Sequence, residues 1–337
     1  MTTFQRYLTK RAGWYFLALV VTVLLNWYLP RLIPGNPVDV LIGQMAGGSA
    51  SGEQVRQIRA TYFNEFGLNH PLWEQFVIYV GNLLHGNMGK SFSLYPANVS
   101  SLIGQTLPWT LGLQLPAIIV GWILGNVLGA LAAYKGGWLD RGAFLGALFV
   151  SSMPYYCLAI LLVYGLAVAT HIFPAAGGYA FGNEPDFTSP SFILDVLRHY
   201  ALPFFSIVIV FIGGQAIGMR SMSIYELGSD YVNYSRSLGV GDNRIIRYIF
   251  RNASLPQITG LALSIASVVS GGLITEIVFS YPGIGTLLFS AIRSNDYPVI
   301  SGITLVIAVG VLLANFLVEI AYGLIDPRIR AAQAGER

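Results

Sequence analysis

Six apolar runs, each close to the length that crosses a lipid bilayer, constrain this chain more than any other feature. They lie near residues 14–33, 107–134, 143–170, 202–222, 257–281 and 300–325. A spanning helix needs about 20 mainly apolar residues, and a helix satisfies its own backbone hydrogen bonds in lipid. The runs therefore predict an all-α, polytopic membrane protein with six transmembrane helices.

The scarcity of charged residues supports the same class. Charged residues make up 10% of the 337 residues and apolar residues 54%, whereas a soluble domain carries about 25% charged residues. The formal net charge of +3 is too small to indicate nucleic-acid binding. Cys157 is the only cysteine, so an internal disulfide is excluded.

The first apolar run follows Arg6, Lys10 and Arg11, as the apolar part of a signal peptide would. The run is long, however, and no small-residue cleavage pattern closely follows its end at Ile33. We therefore favour a retained anchor over a cleaved signal peptide. Residues 1–33 are then an N-terminal tail with the first transmembrane helix.

Lysine and arginine are concentrated on one side of the predicted membrane. With the N-terminus inside, most of the 19 Lys and Arg residues fall in inner segments, as the positive-inside rule requires. We expect an inner-membrane protein whose two termini, including the tail at 326–337, are cytoplasmic. Residues 34–104 form a polar outer segment, and 105–325 form a transmembrane core with a second outer excursion at 171–200. These outer parts would either meet a partner or form a solvated cap.

The most polar and basic stretch of the core runs from Asp230 to Pro256, within a predicted cytoplasmic loop at 223–255. Ser229 suits the N-cap of a short helix over 230–238, and Gly239 suits the residue that ends it. Asp242 is expected to cap a second helix. Leu255-Pro256 then leads into the next apolar run.

The second helix of this loop is predicted to be amphipathic. Its apolar face holds Ile245, Ile246, Ile249 and Phe250, and its basic face holds Arg244, Arg247 and Arg251. With Arg220 and Arg236, five arginines are concentrated in this basic loop. Two short helices hinged at a glycine suit the transmission of movement from a partner; the alternative is a basic helix lying on anionic lipid.

Residues Gly86 to Ser91, with the sequence GNMGKS, resemble a phosphate-binding loop. That motif needs four residues between its glycines, and only two stand here. No buried strand precedes the segment, which lies on the predicted outer side. We interpret it as a turn, and we expect no nucleotide site in this chain.

Patterns typical of catalytic and metal sites are missing from the sequence. The histidines lack the spacing of a zinc protease, no G-x-S-x-G elbow occurs, and no Cys/His metal spacing is present. We therefore expect neither enzymatic activity nor a metal site.

Polar and small residues inside the spans carry two further expectations. Gly121, Gly125 and Gly129 share one helix face and are expected to let another helix approach closely. Glu276 and Glu319 are the acids within the spans. Such acids face a protein interior or water, so they serve either a proton or substrate pathway or a structural hydrogen bond.

The loop resembles the coupling loop of ABC-importer permeases, in which a glycine precedes a closing hydrophobic-proline pair, here Gly239 and Leu255-Pro256. The distance between them resembles the peptide/nickel branch of that family. Other motifs of this branch are matched at 32–37 (LIPGNP), 86–91 (GNMGKS), 279–285 (FSYPGIG), 296–299 (DYPV) and 326–330 (DPRIR). The long first outer segment resembles that of the first of two permease types.

The resemblance implies a type I ABC-importer permease fold and assigns roles to particular residues. The residues that would couple to the ATPase are Asp230, Asn233, Ser235, Arg236, Gly239, Asp242, Arg244, Arg247, Leu255 and Pro256. The outer-side motif contains Tyr281, Pro282, Gly283 and Gly285. The Glu-Ala-Ala sequence that names the family's loop is replaced by Asn233-Tyr234-Ser235, so a charge at 233 is missing.

The resemblance also implies partners: a second permease subunit, ATPase subunits that bind ATP and Mg²⁺, and an extracytoplasmic substrate-binding protein. No cofactor is then expected in this chain. Peptides are the first expected cargo, with oligosaccharides next and nickel or other small solutes behind. The rival class is a stand-alone secondary transporter or channel, which would need ion-coupling residues in its spans.

Overall fold

The computed structural model describes residues 3–28, 69–183, 185–266 and 272–325. Over these ranges the chain is helical, with one isolated β-bridge between Lys90 and Asn98. The expected all-α class is therefore confirmed. The expected tail at 326–337, residues 34–68 of the outer segment at 34–104, and the motifs at 32–37 and 326–330 lie outside the described residues.

Eleven helices are described. They are α1 (Thr3–Tyr28), α2 (Leu72–Leu84), α3 (Val99–Lys135), α4 (Gly137–Ser151), α5 (Tyr155–Leu162), α6 (Pro190–Leu227), α7 (Asp230–Ser237), α8 (Asp242–Ala266), α9 (Leu273–Val278), α10 (Ile284–Arg293) and α11 (Tyr297–Ile325). A π-helical turn over Val163–Ala169 continues α5.

Among the described residues, three helices are long and apolar enough to cross a membrane: α3, α6 and the Tyr297–Ile320 part of α11. Helix α4 together with α5 and its π-helical end makes a fourth if the bent pair is one span. Helix α1 contains residues 14–28 of the expected first run, and residues 29–33 of that run are not described. The expected fifth run includes residues 267–271, which are not described either. The count of six is thus not reached by this criterion.

The expected span at 143–170 is not one straight helix. Helices α4 and α5 meet at an angle of 93°, across a break at Ser152, Met153 and Pro154. Proline has no N–H to donate, and it drives the residue before it out of the helical conformation. The chain therefore turns where the sequence places Pro154.

The chain divides into two compact units, one of residues 1–108 and 283–337 and the other of residues 109–282. In the first unit α1 packs along α11. The Asn26 side chain donates a hydrogen bond of 2.8 Å to the Ser301 carbonyl and accepts one of 2.6 Å from the Thr304 hydroxyl. The ring of Trp27 lies edge-on to that of Phe76 in α2, with centroids 5.2 Å apart.

In the second unit α6 is the central element, packing against α4, α5 and α8. The main core joins buried residues of α3, α5, α6 and the segment after α9. Its members include Leu113, Ala117, Ala159, Leu202, Val208, Phe279 and Tyr281. The loop at 223–255 belongs to this unit and connects the end of α6 to α8.

Candidate functional site

The loop between α6 and α8 folds as a compact pair of helical segments, α7 and the first turns of α8. The Ser229 carbonyl accepts hydrogen bonds from the N–H groups of Val232 and Asn233, each at 3.2 Å, so Ser229 occupies the expected N-cap position. Its hydroxyl instead donates to the Glu226 carbonyl at 2.6 Å. The side chain therefore closes the end of α6 and does not cap α7.

Helix α7 ends in a Schellman motif. Gly239 has a φ of +72°, and its N–H donates to the Arg236 carbonyl at 3.0 Å, while the Val240 N–H donates to the Ser235 carbonyl at 3.1 Å. A left-handed residue at this position is the ordinary use of glycine. The predicted helix break at Gly239 is confirmed.

The expectation that Asp242 caps the second helix is wrong. Helix α8 begins at Asp242, and the Gly241 carbonyl accepts the N–H groups of Arg244 at 2.9 Å and Ile245 at 3.3 Å. Gly241 is therefore the N-cap residue, one position before the predicted one. The Asp242 carboxylate lies in the first turn, where the helix dipole stabilises it, and it faces the Tyr134 hydroxyl.

Leu255-Pro256 leads into the next apolar run within one helix. Helix α8 runs without a break from Asp242 to Ala266, with Pro256 inside it. The pair is exposed, and proline is tolerated inside helices of membrane proteins. The basic part of the loop and the apolar part that follows are therefore one continuous rod.

A small core holds the loop together. Val232 of α7 and Ile245 and Ile249 of α8 are each at most 2% exposed and pack with Tyr134 of α3 and Leu227 of α6. Nearby, half-buried Phe250 packs against a cluster of Ala130, Met219 and Ala253. The predicted apolar face of the second helix is confirmed. We call residues 229–252 the knob.

The knob is also anchored to the end of α6 by a polar contact. The Tyr231 hydroxyl donates a hydrogen bond of 2.7 Å to Oε2 of Glu226. Burial, followed by this hydrogen bond to the Glu226 carboxylate, raises the pKa of Tyr231. The phenol therefore stays protonated and remains a donor at neutral pH.

The outer surface of the knob carries most of the residues that the sequence assigns to coupling. Those that are exposed are Asp230, Asn233, Arg236, Gly239, Asp242, Arg244 and Arg247, together with Arg251; Ser235 is half-buried. An open groove of about 530 Å³ lies beside the bend, lined by residues 238–244. The structure thus brings the two helical segments and their polar residues onto one projecting element.

The interpretation of Arg220 as one of the loop arginines is wrong. Arg220 lies within α6, and its Nε and Nη2 atoms donate to the two carboxylate oxygens of Asp140 in α4, each at 2.6 Å. Its guanidinium also lies 4.7 Å from the ring centre of Phe144. Arg220 therefore joins α4 to α6 and is not presented on the knob.

The three glycines of α3 lie against the backbone of α6. A Cβ atom added to Gly121 would lie 3.2 Å from the Val208 carbonyl oxygen, one on Gly125 would lie 2.7 Å from the Ile212 oxygen, and one on Gly129 would lie 2.3 Å from the Ala216 oxygen. Real Cβ contacts are longer than the last two distances. The helices approach each other at a distance that only glycine allows.

Tyr281 and Pro282 of the outer-side motif are the last residues of the second unit, and Tyr281 packs against Trp109. Tyr281 is 2% exposed, and its ring lies edge-on to that of Trp109 with centroids 5.6 Å apart. A Cβ atom on Gly178 would lie 2.7 Å from Cγ of Pro282. The Gly177 N–H donates to the Phe279 carbonyl at 2.8 Å, so the segment at 171–200 is joined to this motif.

Gly283 and Gly285 belong to the first unit. Gly283 is the N-cap residue of α10, and Gly285 is buried in the first turn of that helix. The carbonyl of Gly283 accepts the Leu287 N–H at 3.2 Å. The two glycines therefore shape the start of α10.

The GNMGKS segment is a turn in the structure, with φ angles of +73° at Gly86 and +86° at Gly89. The Asn87 side chain accepts the Gly89 N–H at 2.9 Å. Ser91, the last residue of the segment, binds the carboxylate of buried Asp296. Two motifs on which the family resemblance rests are thus in direct contact.

The two acids of the spans have different surroundings. Oε1 of Glu319 in α11 lies 3.4 Å from Nη1 of Arg11 and accepts a hydrogen bond of 3.1 Å from the Tyr15 hydroxyl of α1. Glu276 is fully buried in α9, and its carbonyl accepts the Tyr281 N–H at 2.8 Å. Glu319 therefore helps to hold α1 to α11.

Sequence reasoning missed three polar centres, each at a buried or half-buried aspartate. Asp140 and Asp296 accept the contacts described above, and Asp195 accepts the Ala180 N–H at 2.7 Å while contacting His199 at 3.2 Å. A charged residue close to a membrane span is costly unless it is paired. This cost could have indicated that each aspartate has a partner, but it does not show which residue that partner is.

Comparison with known proteins decides the family. Residues 125–331 match the family of the binding-protein-dependent transport system inner membrane component. The chain belongs to this family. The predicted resemblance to permease subunits of ABC importers is therefore confirmed, and the chain is a multi-pass membrane component of such a transport system.

Two relatives of this permease match it along almost its whole length. The di/tripeptide transport system permease protein of Pseudomonas aeruginosa is 32% identical over 338 residues, covering 96% of this chain and 98% of that protein. The dipeptide transport system permease protein of Lactococcus lactis subsp. cremoris is 30% identical over 328 residues, covering 96% of this chain and 99% of that protein.

Proposed function

We propose that this permease forms half of the translocation pathway of an ATP-driven importer of di- or oligopeptides. The relatives named as di/tripeptide and dipeptide permeases support peptides as the cargo. A second permease subunit completes the pathway, and an extracytoplasmic binding protein delivers the peptide. ATP and Mg²⁺ bind to separate ATPase subunits.

The observation that carries the coupling role is the construction of the knob. Its core of Val232, Ile245 and Ile249 rests on Tyr134 of α3 and Leu227 of α6, and α8 continues from it without interruption. A displacement of the knob is therefore passed to three helices of the second unit at once. Closure of the ATPases on ATP would supply that displacement.

The orientation follows from the same assignment. The knob carries exposed arginines, and the termini carry most of the other inner-side lysines and arginines. Basic residues are retained on the cytoplasmic side of a membrane. We place the knob and both termini in the cytoplasm and the segments at 34–104 and 171–200 outside.

The test is uptake into proteoliposomes that contain the purified complex of both permeases and the ATPase subunits, with the binding protein added outside. We expect uptake of labelled di- and tripeptides that requires both ATP and the binding protein. Oligosaccharide and nickel uptake are measured in the same vesicles, and preference for either would overturn the peptide assignment. ATP-independent uptake by this chain alone would contradict the importer and favour a stand-alone transporter.

A further inference from the structure

A group of buried polar side chains lies where α3 meets the start of α9. Gln114 of α3 is 3% exposed, and Thr275 and Glu276 of α9 are fully buried. A Cβ atom added to Gly272, the residue before α9, would lie 2.5 Å from both Cδ and Nε2 of Gln114. Residues three and four positions apart lie on the same side of a helix, so Thr275 and Glu276 lie one turn beyond this contact. We call Gln114, Thr275 and Glu276 the polar cluster.

Two atoms of the polar cluster have no hydrogen-bond partner among the described residues. They are Nε2 of Gln114 and Oγ1 of Thr275, and both are buried. The equally buried hydroxyl of Ser206 in α6, by contrast, donates to the Pro203 carbonyl at 2.7 Å. A buried polar atom without a partner lowers stability, and an apolar side chain of the same shape would avoid that loss. Packing alone therefore does not explain why these two positions are polar.

The surroundings of the polar cluster are apolar. Leu113 and Ala117, close to Gln114 on α3, belong to the main core together with Phe279 and Tyr281, which follow α9. Helix α3 is long and apolar enough to cross a membrane, and α9 lies within the expected fifth span. Polar and ionisable residues inside spanning segments commonly mark a substrate pathway. Hydrogen bonds are stronger in such surroundings than in water, so a ligand that reaches the cluster would be held firmly.

The chemistry of the polar cluster matches the main chain of a short peptide. The amide of Gln114 and the hydroxyl of Thr275 can each donate and accept hydrogen bonds, and a peptide bond offers one N–H group and one carbonyl. An ionised carboxylate at Glu276 can accept hydrogen bonds from an N-terminal ammonium group. All short peptides with a free N-terminus share these groups, so such contacts do not depend on the side chains of the peptide.

We propose that the polar cluster is a cargo-binding site within the membrane, at which Gln114 and Thr275 bind the peptide main chain and Glu276 binds the N-terminal ammonium group. This inference rests on the proposed function, because it assigns residues of this chain to the peptide that the importer carries. The site is closed to solvent in the structure, and the peptide binds when α3 and α9 separate at the contact between Gln114 and Gly272. The hydrogen bonds that two atoms lack in the closed state are then formed with the peptide.

The first test measures peptide uptake and ATP hydrolysis in proteoliposomes that contain the complete importer, with peptide-loaded binding protein outside. The variant Gln114→Met with Thr275→Val replaces both polar side chains with apolar ones of similar size. The matched control, Gln105→Met with Thr106→Val, makes the same two changes near the start of α3. Gln105 is exposed there, and the Thr106 hydroxyl donates to the Leu102 carbonyl at 3.0 Å.

We expect the Gln114/Thr275 variant to take up about tenfold less trialanine per ATP hydrolysed, because two hydrogen bonds to the peptide are lost. Its midpoint of thermal denaturation should equal or exceed that of the wild type, because two polar atoms without partners are gone. The control should match the wild type in uptake. Unchanged uptake by the Gln114/Thr275 variant overturns the site, and a lower midpoint beside it would assign the two atoms to a structural water.

The second test locates the peptide, and it decides the case in which the Gln114/Thr275 variant loses both uptake and stability. A tripeptide with p-benzoylphenylalanine at its second position, free or N-acetylated, is photo-cross-linked to the complete importer during turnover. We expect labelling within residues 109–119 and 272–281. The preference for the free over the acetylated peptide should fall about tenfold in Glu276→Gln and persist in Glu319→Gln, which changes the other acid of the spans.

The outcomes separate this site from the proposed function. Labelling confined to other segments, or an unchanged preference for the free peptide in Glu276→Gln, overturns the site while peptide import stands. Absence of ATP-dependent peptide uptake by the wild-type importer overturns the proposed function itself.

Discussion

The Ser91 hydroxyl donates a hydrogen bond of 2.5 Å to Oδ2 of Asp296, although the two residues are 205 positions apart. The same oxygen accepts the Ser93 N–H at 2.9 Å and the Ser93 hydroxyl at 2.7 Å, while Oδ1 accepts the Val299 N–H at 3.3 Å. Asp296 is fully buried. One carboxylate thus holds the GNMGKS turn to the start of α11.

Replacing Asp296 with Asn should destabilise the permease. The Asn amide has one acceptor oxygen, and its NH2 group can only donate, so it cannot accept all of these hydrogen bonds. Hydrogen bonds to a charged group contribute about 1.5–3 kcal/mol. We expect a lower midpoint of thermal denaturation in detergent. Asp186→Asn is the control, because Asp186 is exposed and its hydrogen bonds are local. Equal midpoints for the two variants would show that the Asp296 contacts add nothing.

Adding a methyl group to α3 at Gly129 should also destabilise the protein. The Cβ atom would lie 2.3 Å from the Ala216 carbonyl oxygen, and overpacking of this kind costs about 1–3 kcal/mol. Gly112→Ala in the same helix is the control, since nothing lies within 4 Å of its Cβ position. That variant should be neutral or slightly more stable, because alanine favours a helix over glycine. Equal denaturation midpoints for Gly129→Ala and Gly112→Ala would contradict the close backbone approach.

The Asp140–Arg220 pair should show strong coupling in a double-mutant cycle. Side-chain exposures of 15% and 23% leave the pair partly screened, so loss of one partner should cost about 1–3 kcal/mol. Asp140→Asn combined with Arg220→Gln should cost clearly less than the sum of the single changes. Arg141→Gln, at the exposed neighbouring position, is the charge-matched control. Additive single and double effects on the free energy of unfolding would mean that the two side chains act independently.

Gly239→Val should uncouple ATP hydrolysis from transport in the reconstituted importer. A β-branched residue resists a φ of +72°, and the left-handed conformation costs an ordinary residue about 1–2 kcal/mol. The knob would then relax into another shape, so the ATPases should hydrolyse ATP while the ratio of peptide uptake to hydrolysis falls.

Gly228→Val serves as the comparison for that variant. Gly228 has a φ of −83°, and a Cβ atom there makes only an ordinary contact of 3.6 Å with the Tyr225 oxygen. Its coupling ratio should stay near that of the wild type. A normal ratio in Gly239→Val, in a complex that remains assembled, would remove the bend from the coupling mechanism.

Local signals predicted much of the knob. The helix break at Gly239 and the apolar face of Ile245 and Ile249 follow from residues within one or two turns, and both are confirmed. The cap at Asp242 was misplaced by one position, because the pattern does not reveal that Gly241 can supply the same carbonyl. Helix α8 continues through Pro256. A leucine-proline pair alone does not show whether the helical turns before and after it form one helix.

Long-range partners were beyond the sequence. Asp140 and Arg220 are 80 positions apart, and Arg220 looked like a loop arginine because it stands only ten positions before Asp230. The bend at Pro154 was visible only as a proline inside an apolar run, and a proline alone does not specify its angle of 93°. A one-dimensional pattern gives the cost of burying a charge but not the neighbour that offsets it.

The glycine contacts between α3 and α6 determine how this unit can move. At Gly125 and Gly129 the opposing surface is largely backbone, and backbone atoms have no alternative rotamers with which to absorb a small shift. Sliding one helix along the other would drive carbonyl oxygens into Cα atoms. Under the proposed coupling, a displacement of the end of α6 beside the knob is therefore expected to move α3 and α6 together as one rigid body.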